Sequence, residues 1–83
     1  MTAVASLVAA MRANPSDVRF ADAVRVARHY FGPPRIRGSH HFFVMPWQGD
    51  PLVNLQSSGK NAKPYQVRQL LAAIERMEGE HHA

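Results

Sequence analysis

Residues 35–56 have the sequence RIRGSHHFFVMPWQGDPLVNLQ, which combines alternating, aromatic and β-branched residues with closely spaced turn residues. Such segments favour β-strands, and clusters of glycine, serine and proline mark the turns between them. The pattern predicts three strands, over residues 35–37, 41–45 and 52–56. Because the intervening turns are short, we expect neighbouring strands to pair antiparallel.

Helical periodicity precedes the strands. An apolar stripe at i, i+3, i+4 and i+7 predicts a first helix over residues 3–13, formed by Val4, Leu7, Val8 and Met11. Pro15 excludes the residue before it from helical geometry, which ends this helix. Ser16 or Asp17 can cap a second helix, which we expect to run to Phe31.

A last helix follows the strands. Residues 57–63 are polar and are predicted to form a loop. Pro64 suits the first helical position, and the apolar stripe after it comprises Val67, Leu70, Leu71, Ile74 and Met77. Gly79 is expected to end the helix and to leave residues 79–83 as a flexible tail.

The predicted element order is α-α-β-β-β-α, which indicates an α+β domain. A length of 83 residues allows a single domain. A three-stranded sheet cannot enclose a core by itself, so the helices should pack on one face and leave the other exposed, or open to a partner. The longest apolar stretch, residues 3–11, is too short to cross a membrane and lacks the preceding basic residues of a signal peptide. The absence of cysteine fits a cytoplasmic location.

The net charge of +4 is concentrated in the middle of the chain. Residues 35–68 sum to +4, whereas residues 69–83 sum to −2. A basic segment with interleaved aromatic residues is typical of nucleic-acid binding, and a solvated basic surface is the alternative. At least one of Phe42 and Phe43 is expected in the core, because so small a domain needs large apolar side chains inside. The candidate RNA contacts are Arg35, Arg37, Lys60, Lys63, Arg68 and Trp47.

The segment Gly38-Ser39-His40-His41 has the clearest capacity for catalysis. Histidine transfers protons near neutral pH, and adjacent positions in a strand point to opposite faces, so one ring can face a substrate while the other packs. From the spacing alone, the simpler interpretation is that both histidines lie at the surface and have no catalytic role. A metal site is disfavoured, because adjacent histidines do not readily bind one ion and no third ligand lies nearby in the sequence. The chain also lacks a Walker A loop, an HExxH motif and a close carboxylate pair in the strand region.

Three segments carry a resemblance to a known family. Residues 37–43 are RGSHHFF, residues 59–71 are GKNAKPYQVRQLL and residues 14–20 are NPSDVRF. They resemble, respectively, the glycine-serine-histidine signature of HicA toxins, the basic segment before their final helix, and a helix start found in one HicA subgroup. The similarity covers residues 18–77, so the helix over residues 3–13 is additional to the family core.

The resemblance to HicA implies a fold like that of double-stranded-RNA-binding domains. It also implies an mRNA interferase, a ribonuclease that needs no metal or other cofactor and arrests translation and growth. The family's histidine follows glycine-serine and therefore maps onto His40, with His41 as the fallback because some members carry it one place later. Gly38 would form the turn, and Ser39, His41 or a lysine would carry the second proton.

The implied partners are mRNA and a HicB antitoxin that covers the active site. The toxin would be a monomer alone and part of a hetero-oligomer with the antitoxin, with no membrane contact. Two other functions remain compatible with the residues. One is a non-catalytic module that binds RNA by shape and phosphate contact, and the other is a protein-interaction domain whose open face or edge strand takes a partner strand.

Overall fold

The computed structural model describes residues 3–47 and 52–82. Within these residues the chain forms an α+β arrangement of three helices and five strands. In chain order they are α1 (Val4–Ala13), α2 (Phe20–Phe31), β1 (Arg35–Arg37), β2 (His40–Val44), β3 (Leu52–Leu55), β4 (Ser57–Ser58), β5 (Asn61–Ala62) and α3 (Pro64–His82). None of these described helices is long and apolar enough to cross a membrane.

The predicted antiparallel sheet is confirmed, with the strands in the order β1, β2, β3. Arg37 pairs with His40 across the turn formed by Gly38 and Ser39, in which Gly38 has a φ of +58°. Positive φ suits glycine, which has no side chain to clash with the main chain. β2 begins at His40 rather than at residue 41, so the register of the sheet fixes where this histidine points.

The helices cover one face of this sheet, as predicted. Phe43, Val53 and Leu55 point towards them and are at most 5% exposed. They join buried residues from all three helices, namely Leu7, Val8, Met11, Ala23, Val26, Ala27, Val67, Leu70, Ala73 and Ile74. Because side chains alternate along a strand, the positions between these apolar residues point to the opposite face of the sheet. That face is solvent-exposed at Val44 and Leu52.

α2 begins at Phe20, so the start expected at Ser16 or Asp17 is wrong. Residues 15–17 form a turn, and Arg19 is extended, because the carbonyl of Val18 accepts a hydrogen bond from the N–H of Ala62 at 2.9 Å. This pairing with a distant part of the chain holds the main chain out of helical geometry. A long-range contact therefore overrides the local capping signal.

The expected loop over residues 57–63 contains a short hairpin of β4 and β5 instead. Ser57 pairs with Ala62, and Gly59 turns the chain with a φ of +65°. Ala62 is buried, so the hairpin closes one end of the core. The prediction failed here because strands of two residues are too short to show an alternating pattern.

α3 continues through Gly79 to His82, so the stop predicted at Gly79 is wrong. Glycine inside a helix costs only about 1 kcal/mol relative to alanine, which a long packed helix tolerates. The residues expected to form a tail are therefore helical up to His82, and Ala83 lies outside the described residues.

α1, the first helix in the chain, is part of the core. Leu7 and Val8 are buried, and Met11 is only 2% exposed. At the surface, Nη1 of Arg12 lies 3.0 Å from Oε1 of Glu75 in α3. Because exposed ion pairs contribute little, apolar burial is the main force that holds α1 in place.

Candidate functional site

Polar and basic side chains gather on the face of the sheet opposite the helices. Strand alternation, the register of the three strands and the side-chain contacts place on this face Arg35, Arg37, His40, Phe42, Asn54 and Gln56. We call this set the open face. Along β2 and β3 these positions alternate with ones that point to the other side of the sheet, so the same strands build the core and the candidate site.

His40 lies on the middle strand of the open face, half-buried, with both ring nitrogens engaged. Nδ1 lies 3.3 Å from Oδ1 of Asn54, and Nε2 lies 3.2 Å from Nε2 of Gln56. The ring also stacks on Phe42, with the centroids 5.5 Å apart and the planes within 5°. Since an amide oxygen only accepts and an amide NH2 only donates, this arrangement suits a ring with its proton on Nδ1 and its lone pair on Nε2.

Gln66, in the first turn of α3, holds Gln56 in place. Gln66 is only 1% exposed. Its Oε1 accepts a hydrogen bond from the main-chain N–H of Gln56 at 2.7 Å, and its Nε2 donates to Oε1 of Gln56 at 3.0 Å. Nε2 of Gln66 also donates a hydrogen bond to the hydroxyl of Tyr65, at 3.3 Å. A continuous series of amide contacts therefore runs from α3 to the ring of His40.

The sequence prediction missed the three amide residues of this site, Asn54, Gln56 and Gln66. One signal was present for Gln66, which lies four residues before Leu70 on the core-facing side of α3. A polar side chain in such a position needs a buried hydrogen-bond partner. Asn54 and Gln56 gave no comparable signal, because their place beside His40 depends on how β2 and β3 pair.

His41, the fallback for the catalytic role, faces the helices. Its ring meets that of Phe20 edge-on, with the centroids 5.0 Å apart and an angle of 80° between the planes. Its Nδ1 is buried and has no hydrogen-bond partner among the described residues. Ser39, in contrast, is exposed in the turn directly before His40. The structure therefore places His41 away from the open face and leaves Ser39 beside it.

Two of the predicted RNA contacts, Arg35 and Arg37, are exposed on the open face. Together with Phe42 and Leu52 they line a shallow groove of about 290 Å³. Arg35 pairs with Phe42 and Arg37 with His40, so each arginine lies in register with a ring. Guanidinium groups bind phosphate oxygens in a bidentate manner, which makes this groove chemically suited to an anionic ligand.

The two predicted lysine contacts lie in and after the β4–β5 hairpin. Lys60 is exposed in its turn. Lys63 follows β5, and its main-chain N–H donates to the carbonyl of Gln56 at 3.3 Å. The main chain of Lys63 is therefore next to a residue that contacts His40.

The other two predicted contacts, Arg68 and Trp47, are not on the open face. Arg68 is exposed on α3, in a groove between that helix and α1. Trp47 packs on the helix side, with its ring centroid 6.4 Å from that of Phe31 and 4.5 Å from the guanidinium carbon of Arg76. The structure therefore does not bring these two side chains together with His40.

Within the described part of the chain, no three metal-ligating side chains lie close enough to hold an ion. Comparison with known protein families, with curated proteins and with solved structures gives no match for this chain. The chemistry of the open face is therefore the basis on which a function is assigned.

Proposed function

We propose that this chain is a HicA-type toxin, a cytoplasmic mRNA interferase that binds RNA on the open face and cleaves it with His40. One observation carries the proposal: a histidine held by two amide side chains shares an exposed sheet face with Arg35 and Arg37. The order α2-β1-β2-β3-α3, with helices on one face of the sheet, supports a fold like that of double-stranded-RNA-binding domains. α1 adds a further helix to that fold.

RNA is held by charge and by stacking. Arg35 and Arg37 meet phosphate oxygens, and Phe42 offers a half-buried ring beside them on which a base stacks. Lys60 and Lys63 add positive charge from the neighbouring hairpin. This use of the open face accounts for the concentration of positive charge in the middle of the sequence.

Cleavage begins with transfer of the ribose 2′-hydroxyl proton to Nε2 of His40. The 2′ oxygen bonds to the adjacent phosphorus, the bond from phosphorus to the 5′ oxygen breaks, and the leaving oxygen takes up a proton. The product ends in a 2′,3′-cyclic phosphate. The 2′-hydroxyl takes the place of the Gln56 amide at Nε2, and Arg37 stabilises the charge on the pentacoordinate phosphorus. Ser39 and Lys63 are the neighbours available to supply the second proton.

A HicB-type antitoxin is the proposed protein partner. Val44 and Leu52 pair across β2 and β3 on the same face as His40 and are 41% and 54% exposed. Exposed apolar residues beside a polar site are typical of protein interfaces. An antitoxin that buried these two residues would also cover the groove between Arg37 and Phe42 and would exclude RNA.

Induced expression in bacterial cells tests the proposal. The parent chain should arrest growth and shorten cellular mRNA, whereas His40→Ala should do neither. His29→Ala is the matched control, because His29 is an exposed histidine on α2 rather than on the sheet. Growth arrest by a folded His40→Ala protein would contradict the catalytic role of His40.

A second function, RNA binding without cleavage, is favoured by one specific observation. Both ring nitrogens of His40 already have side-chain partners, as they would if the ring only shaped the surface. A binding module of this kind would retard RNA in a native gel without shortening it, and its affinity would fall steeply with salt. Cleavage of RNA by the purified parent chain decides between the two functions.

A further inference from the structure

We infer that Gln66 sets which nitrogen of His40 carries the proton, and that it does so through Gln56 without contacting the ring. The catalytic meaning of this inference rests on the proposed function, whereas the tautomer itself can be measured without RNA. Gln66 is thus a positioning residue. The hydrogen-bond roles are fixed one after another, starting from the main-chain N–H group of Gln56.

The first step is the contact between Gln66 and the main chain of Gln56. The main-chain N–H of Gln56 can only donate, so the atom 2.7 Å from it must be the amide oxygen of Gln66. At 1% exposure, Gln66 has almost no access to water that could replace this partner. The orientation of the Gln66 amide is therefore fixed, with its NH2 group turned towards the side chain of Gln56.

The second step fixes the amide of Gln56. The NH2 group of Gln66 can only donate, so Gln56 presents its oxygen to it, at 3.0 Å. The same oxygen lies 3.4 Å from Nδ2 of Asn54, a second donor. With its oxygen facing both donors, Gln56 must turn its own NH2 group towards His40.

The third step fixes the ring. Because the NH2 group of Gln56 donates at 3.2 Å, Nε2 of His40 must accept, and the ring proton is then on Nδ1. Asn54 meets this proton with its oxygen at 3.3 Å, which leaves its own NH2 group for Gln56. The donor and acceptor assignments along the series are therefore mutually consistent. Reversal of any one amide would bring two donors or two acceptors together.

This order of donors and acceptors decides what His40 can do. A proton on Nδ1 leaves the lone pair on Nε2, so that this nitrogen can accept a proton from a hydroxyl group that replaces Gln56. With the proton on Nε2 instead, the same nitrogen would have no lone pair to offer. Gln66 therefore supports base catalysis although it touches neither RNA nor the ring.

Nitrogen NMR of histidine-labelled protein, at a pH where the ring is neutral, reports the tautomer directly. The His40 signals are those that disappear in His40→Ala. In the parent chain we expect the form protonated on Nδ1 to dominate. Gln66→Met, which keeps the length of the side chain and removes both amide groups, should shift the population towards the form protonated on Nε2. Gln69→Met is the matched control, because Gln69 is exposed on the same helix, and it should leave the population unchanged.

Gln56→Glu provides a second variant that does not depend on the stability of Gln66→Met. A carboxylate accepts at both oxygens, so it still pairs with the NH2 group of Gln66 and now requires a proton on Nε2 of His40. We expect the ring of this variant to carry a proton on Nε2, the nitrogen that is unprotonated in the parent. A parent ring protonated on Nε2, or a parent-like ring in folded Gln56→Glu, would overturn the inference.

RNA cleavage by the same proteins separates this inference from the proposed function. If the tautomer responds as expected and the parent does not cleave RNA, the role of Gln66 stands and the proposed function fails. If the parent cleaves RNA and a folded Gln66→Met protein keeps the parent's tautomer, the proposed function stands and the role of Gln66 is overturned.

Discussion

His40 and His41 are adjacent in β2, yet their rings lie on opposite faces of the sheet. His40 contacts Asn54 and Gln56 on the open face, whereas His41 meets Phe20 of α2 edge-on. The strand thus separates two identical side chains into two environments, one at the surface and one against the helices. This separation allows the contributions of the two histidines to activity and to stability to be measured independently.

Replacement of His41 is expected to stabilise the fold and to leave RNA cleavage intact. Nδ1 of His41 is buried without a hydrogen-bond partner among the described residues, and such an atom costs about 1–3 kcal/mol. His41→Phe removes it and keeps the ring contact with Phe20. Urea denaturation should show a gain of about 1 kcal/mol in the free energy of unfolding. Loss of RNA cleavage in the folded variant would mean that His41 acts in the reaction.

Substitutions of the two adjacent phenylalanines should likewise have separate effects, one on the stability of the fold and the other on RNA binding. Phe43 is completely buried, so Phe43→Ala is expected to lower the free energy of unfolding by about 3–5 kcal/mol. Phe42 stacks on His40 at the open face, so Phe42→Ala should cost less stability and weaken RNA binding by about 1–3 kcal/mol. Thermal unfolding and fluorescence-detected RNA titration measure the two effects. Equal losses of stability in both variants would contradict the assigned faces.

Arginine substitutions test whether the open face binds phosphate. Arg37→Gln should weaken RNA binding and reduce the slope of log affinity against log salt by about 0.7, the value for one contact to single-stranded nucleic acid. Arg25→Gln removes the same charge from the exposed surface of α2 and should leave the slope unchanged. If both variants changed the slope equally, net charge rather than the open face would explain the binding.

Substitutions in α1 test whether this helix belongs to the core. Met11→Ala should lower the free energy of unfolding by about 2–5 kcal/mol, because Met11 is 2% exposed among residues of the helix-side core. The neighbouring Arg12→Ala breaks only exposed ion pairs, with Glu75 and Glu78, so its effect should be below about 1 kcal/mol. Chemical denaturation of both variants measures the difference. A negligible effect of Met11→Ala would show that the domain does not need α1.

The sequence predicted the sheet well because its strands carry their own signals. Alternation and turn residues identified three antiparallel strands, and the same alternation predicted opposite faces for His40 and His41. The sequence prediction failed where a contact with a distant part of the chain determines the local structure. The extended chain at Val18 depends on its pairing with Ala62, and no local pattern around Asp17 reveals that pairing.

The candidate site was only partly predictable for the same reason. His40 and the two arginines lie in one continuous segment, so the sequence could group them. Gln56 and Gln66 reach His40 from β3 and α3, and their relation to the ring depends on the strand register and on helix packing. Trp47 and Arg68 were grouped with the site by charge and ring type, whereas packing places them on the helix side of the molecule and on α3.

Cleavage of RNA by purified protein decides whether His40 acts as a general base. Parent, His40→Ala and His29→Ala proteins are incubated with the same RNA, and the lengths and ends of the products are measured. We expect the parent and His29→Ala to produce fragments ending in a 2′,3′-cyclic phosphate, whereas folded His40→Ala should be slower by about 10²–10⁴-fold, the usual contribution of a general base. Equal cleavage by parent and His40→Ala, or RNA that the parent binds and leaves intact, would contradict this role of His40.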